Sequence, residues 1–191
     1  MNRFTIVFLL SLILIAAFAK AQTITQARFR ISNKTKGFTS IDLVINNTIY
    51  VGIEDDGSIA YIESENDDIN TPLDLERLGL PITFYGTSDI HDIPGKIKSI
   101  GNIKFTYYNV FDIHDERGNL KSIGDIQIKY CNTFDIHDPK GKVKSVGPVT
   151  IKYYNVFDQS FPFGYVKSIE GNTARIKVSV RNPIIERGRK S

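Results

Sequence analysis

Three copies of an Asp-Ile-His-Asp tetrad, beginning at Asp89, Asp112 and Asp135, hold the residues in this chain best suited to chemistry. Within each copy a carboxylate and an imidazole stand two residues apart: Asp89 with His91, Asp112 with His114, Asp135 with His137. On an extended strand that spacing puts both on one face, where they offer an oxygen and a nitrogen to a divalent cation. If neighbouring copies lie two strands apart, each ion would have only two protein ligands. If the copies stack directly, pairs could share ions. The plainer reading, and the favoured one, is a solvated strand end whose Asp92, Asp115 and Asp138 open turns. Catalysis finds little else to work with. Three histidines, one cysteine and no nucleophile-base constellation or glycine-rich phosphate loop are present. Catalytic groups are rarely copied together with a stretch of scaffold. No catalytic residue and no cofactor is therefore assigned, and an enzyme is not expected.

The tetrads belong to a repeat of 23 residues. Gly95, Gly118, Gly141 and Gly164 keep that spacing, as do Lys98, Lys121, Lys144 and Lys167, and Ser99, Ser122, Ser145 and Ser168. Gly101, Gly124 and Gly147 complete three copies, and Glu170 breaks the series. The fourth tetrad keeps Asp158 and then becomes Gln159-Ser160-Phe161. So many positions in one phase, without an insertion, mark a repeat architecture.

Two further sets of side chains offer binding chemistry. The in-phase lysines, with Lys96, Lys104 and Lys142, could form a positive stripe for an acidic polymer, although such lysines more often protect a sheet surface. Tyr107, Tyr108, Tyr130, Tyr153 and Tyr154, with Phe111, Phe134 and Phe157, form an aromatic belt whose inward half is expected to be core. Tyr108 and Tyr154 fall on the opposite strand face and are the candidates for stacking on a sugar. Cys131 occupies the same repeat position, and an unreactive or half-buried thiol is expected there.

Strands must carry these residues. Ile103-Lys104-Phe105-Thr106-Tyr107 alternates apolar and polar side chains, and the segments from Ile126 and Val149 repeat the pattern. Continued onward, the alternation puts Asn109, Phe111 and Ile113 on the face of Ile103. Asp115-Glu116-Arg117-Gly118 and Asp138-Pro139-Lys140-Gly141 have turn chemistry. Gly101-Asn102 turns the chain a second time in each unit. Ile97 and Ile100 are three apart, so a bulge or corner is expected at Lys-Ser-(Ile/Val)-Gly. The fold class that follows is all-β: an antiparallel meander of hairpin repeats, about four units, with degenerate strands before them. A β-solenoid is the alternative. The two turn signals per unit favour the meander. Glu63 to Pro72 is an acidic loop by composition, and the segment from Thr71 to Leu78 is the one place that suits a short helical turn.

The regular units span about residues 84–170 and read Phe-Asp-x5-Gly-Lys-(Ile/Val)-Lys-Ser-(Ile/Val)-Gly. This unit resembles repeats in secreted proteins of Bacteroidetes-type bacteria, a resemblance that implies hairpin repeats and no particular activity. The period is also similar to that of MORN repeats, and the turn to YD-type repeats. The regular glycines of the first and the Tyr-Asp pairs of the second are absent here.

The chain has 191 residues, of which 41% are hydrophobic and 24% charged, a globular composition. Its start, Met1-Asn2-Arg3, an apolar run from Phe4 to Ala19 and Ala19-Lys20-Ala21, has the three parts of a secretory signal ending at residue 21. The run is shorter than the ~20 residues of a spanning helix, so no membrane span is expected in the mature chain. A single β-repeat domain over residues 22–180 and a basic tail over 181–191 follow. Without Arg3 and Lys20 the formal charge falls from +3 to +1, and much of the remaining excess is in the tail. Nucleic acid, which needs a basic face on the folded body, is excluded as a partner. The expectation is an exported protein, periplasmic or at the cell surface, that acts as a non-enzymatic structural or protein-interaction module. A module for cell-surface polysaccharide and a metal-stabilised repeat are the alternatives.

Overall fold

A computed structural model describes residues 22–66, 72–159 and 161–181 of the protein. The segment read as a secretory signal, the tail beyond Arg181, residues 67–71 of the acidic loop and residue 160 lie outside the described residues.

The repeats build one long antiparallel meander. β5 (Ile82–Phe84), β6 (Ile97–Ile100), β7 (Ile103–Tyr107), β8 (Leu120–Ile123), β9 (Ile126–Tyr130), β10 (Val143–Val146), β11 (Val149–Tyr153) and β12 (Val166–Glu170) follow one another in space as in sequence. Each unit is thus a hairpin beside the next, and every pairing in this sheet is antiparallel. The expected bulge is present in all four units, and it falls on the lysine. Thr83 pairs with Ser99 but Phe84 with Ile97, so Lys98 is skipped. Lys121, Lys144 and Lys167 are skipped in the same way. The extra residue returns Ile97 and Ile100 to the same face, and both are buried.

The first half does not continue the repeat. β1 (Ile24–Ile31), β2 (Phe38–Ile45), β3 (Ile49–Glu54) and β4 (Ile59–Ser64) form a second sheet, in which β13 (Ile176–Val180) lies parallel to β1 in the order β13-β1-β2-β3-β4. Asn46 and Asn47, with φ of 52° and 66°, make the tight turn between β2 and β3. The helical turn read near Thr71 is α1 (Pro72–Arg77), set against β5.

The sheets face each other across one apolar core. Phe29, Leu43 and Val51 from the first meet Phe105, Ile128 and Ile151 from the second in a single buried cluster. Polar ties seal its two ends. At the hairpin end, Arg175 donates to both carboxylate oxygens of Asp125 at 2.6 and 2.7 Å, and the Gln22 side chain accepts from Asn102 N–H at 2.7 Å. At the other end Lys142, buried rather than part of a surface stripe, donates to the carbonyls of Ser32, Asn33 and Thr35 at 3.0, 3.0 and 2.7 Å. Those three acceptors satisfy all three ammonium donors, while burial lowers the pKa of the amine.

The register yields a face-specific expectation. Phe105→Ala should cost about 3–5 kcal/mol in urea unfolding by emptying the core. Its neighbour Lys104→Ala, on the exposed face, should stay within about 0.5 kcal/mol of the native chain. Equal losses for the two variants would contradict this register.

Candidate functional site: a repeated turn rim

Four equivalent loops project from one end of the long sheet, at residues 85–96, 108–119, 131–142 and 154–165. Two backbone bonds close each of them. In the second loop Tyr108 N–H donates to Asn119 O at 2.9 Å and Gly118 N–H to Tyr108 O at 2.8 Å, and the other three repeat the pattern within 2.7–2.9 Å. Gly95, Gly118, Gly141 and Gly164 have φ between 81° and 90°, a region glycine enters without strain. A side chain at Gly118 would also meet Ile93 of the preceding loop at 2.6 Å, so the glycine permits close lateral stacking as well.

The first aspartate of each tetrad fixes its loop from within. Asp112 accepts from Asn109 N–H at 3.0 Å through one oxygen and pairs with the bulged Lys121 at 2.6 Å through the other. Asp89 with Lys98 and Asp158 with Lys167 do the same at 2.7 Å, and Asp135 pairs with Lys144. The lysine also caps a ring: Lys98, Lys121 and Lys167 lie 5.3, 5.2 and 5.5 Å from the ring centres of Tyr85, Tyr108 and Tyr154. The lysine hydrogen bond is the largest influence on Asp89 and Asp158 and holds both carboxyls below their ordinary pKa. For Asp112 and Asp135 burial is the largest single influence and pushes upward, but the lysine and the turn N–H together outweigh it.

The histidines serve a different contact. Each imidazole packs on the phenylalanine of the next loop: His91 on Phe111, His114 on Phe134 and His137 on Phe157, with centroids 4.7, 4.4 and 4.6 Å apart. Asn132 and Asn155 reach back to Asp115 and Asp138 at 3.3 and 3.4 Å and reinforce the same seams. The carboxylate and imidazole of a pair therefore have separate partners, and among the described residues no three His, Cys, Asp or Glu groups are placed to hold a metal ion. Asp158 keeps its lysine clip in the unit that has no histidine, which marks the clip as scaffold.

The phenylalanines depart from the expected strand pattern. Strand β7 ends at Tyr107, the loop closes at Tyr108, and Phe111 and Ile113 turn outward, 70% and 79% exposed, instead of sharing the inward face of Ile103. Ile90, Phe134, Ile136 and Phe157 are bared to the same degree, and Phe161 and Phe163 of the fourth loop are 55% and 54% exposed. The result is a comb of isoleucine tips and His-Phe pairs, its rungs about 9.6 Å apart, two strand spacings. Contiguous apolar surface of this kind marks an interaction face. Of the two tyrosines singled out for stacking, Tyr108 is buried and donates its hydroxyl to Ile128 O at 2.9 Å, whereas Tyr154 is half-buried and stacks on Phe161 at 4.4 Å. Cys131 is fully buried, and burial pushes its thiol up to about 12.

A sequence signal for the comb exists in the ends of the array. Ser88 occupies the phenylalanine position in the first unit, where no histidine precedes it, and Ser160 the histidine position in the last, where no phenylalanine follows. Each partner of the pair occurs only where the other is available.

Together the fold and the rim define a two-sheet, all-β protein built on a meander of antiparallel hairpins. Comparisons with protein families, curated proteins and solved structures give no match.

The clips set an acid dependence. An aspartate with a depressed folded-state pKa adds stability above its unfolded value, about 3.9, and that stability is lost as pH falls through the folded value. The D112N/D135N double variant should therefore show a flatter loss of stability below that pH than the native chain, read by urea midpoints across the acid range. Parallel curves would remove the clips from this role.

Proposed function

We propose that this is an exported, non-enzymatic interaction module, working in the periplasm or at the cell surface, whose working face is the turn rim. The observation behind this reading is the row Ile90, Phe111, Ile113, Phe134, Ile136 and Phe157, each 69–79% exposed on loops clamped by Asp–Lys pairs. Leaving such side chains in water forfeits burial energy of about 1.5–3 kcal/mol each, and a covering partner recovers it. Rigid loops lose little entropy when they dock. The chemistry of the rim is that of a protein contact, with apolar tips at the centre and a border of Asp92, Asp115, Asp138 and Lys140.

A photo-crosslinking amino acid in place of Phe134 should capture a protein in the exporting cell, while the same group in place of Gln127, exposed on the sheet face, should not. Equal capture at the two positions, or capture at neither, would overturn the reading. A second reading, saccharide binding, rests on the Tyr154–Phe161 stack. It requires that cell-wall saccharides raise the melting temperature and that Tyr154→Ala abolish the rise.

A further inference from the structure

We infer that the partner seated on the rim is a second copy of this chain, joined rim to rim about a two-fold axis. This inference rests on the reading of the rim as a protein-binding face and names its occupant.

Three observations carry it. The first is periodicity. The comb repeats at every loop from His91–Phe111 to His137–Phe157, so an opposing surface can engage all its rungs only if it has the same spacing. A second copy has that spacing by construction. A two-fold rotation reverses the order of the rungs and keeps their separation, so the tips of one comb fall between those of the other, an isologous contact.

The second is area. Five phenylalanines, Phe111, Phe134, Phe157, Phe161 and Phe163, are 54–70% exposed. At 150–250 Å² for each ring they bare roughly 600 Å². Three isoleucines at 75–79% exposure, with Val110 and Val156, enlarge the patch. It thereby reaches the roughly 800 Å² per partner of a standard interface.

The third is charge. The four aspartates nearest the comb are neutralised within their own loops by Lys98, Lys121, Lys144 and Lys167. Each of the first three loops holds one further aspartate and one cation, Asp92 with Lys96, Asp115 with Arg117 and Asp138 with Lys140, while Glu116 pairs with Lys36. The two combs therefore meet without an unbalanced block of one sign, and apolar contact is not opposed by charge repulsion.

The test is sedimentation velocity of the exported chain over a dilution series, beside F134E and the sheet-face control Q127E. The native chain and Q127E should sediment as a reversible dimer. F134E places two like charges in a desolvated interface, so its dissociation constant should rise by on the order of 100-fold. Its circular dichroism, and its urea midpoint at concentrations where both chains are monomeric, should match the native chain, because Phe134 is exposed. A native chain that stays monomeric at the highest concentration overturns the inference, as does a dimer that F134E leaves intact. Capture of a different protein at Phe134 by a monomeric chain overturns the second copy and leaves the rim as the working face. A monomer with no capture at Phe134 overturns both.

Discussion

One lysine, pushed out of register by a bulge, organises each unit of this protein. A regular hairpin would send that side chain to one sheet face like any other and would separate the two flanking apolar residues onto opposite faces. The skipped residue instead keeps Ile97 and Ile100 together in the core and frees Lys98 to reach Asp89. Because the same aspartate also accepts the loop's own N–H, one contact joins strand register, loop shape and, through the Tyr85 ring, the packing beneath. An isolated surface ion pair contributes little. Here each pair is tied to a backbone bond and, in three of the four units, to a ring, and the four copies stand side by side, so the loops form a ladder of like parts.

Repetition also explains the ends of the array. Within the long sheet each hairpin pairs only with its neighbours, so the first and last have an open side and must differ. Ser88 and Ser160 do so in sequence. In space, β5 is three residues long with α1 beside it, while after β12 the chain crosses to β13 in the other sheet. The second sheet supplies what hairpins cannot make alone, an apolar surface for the inward residues of all four units.

Much of this was legible in the residues, for identifiable reasons. Alternation at Ile103, Phe105 and Tyr107 is strictly local, and so are the turn glycines and the three-residue offset of Ile97 and Ile100; each maps directly onto β7, the loops and the bulge. The outward turn of Phe111 was hidden because its spacing from Tyr107 is the same whether the strand continues or stops. What decides the matter is the closure of Tyr108 on Asn119 and Gly118, a contact the alternation does not contain. Tyr108 leaves its expected outward face for the same reason: its ring is buried once the strand ends. The pairing of β1 with β13 joins residues such as Ala27 and Ile176, and no local pattern announces a parallel partner so far along the chain.

That parallel pair gives the molecule a polarity. Chain entry, near Gln22, is tied to the hairpin end through Asn102. Arg181 follows β13 and bonds to Ile31 O at 2.8 Å, where β1 runs into the segment that Lys142 grips beneath the loops. The polypeptide thus comes in at the plain end of the sandwich and goes out beside the comb. Anything attached ahead of β1 would hold the molecule like a brush by its handle, bristles outward, whereas an attachment after β13 would sit among the bristles and compete with whatever they touch.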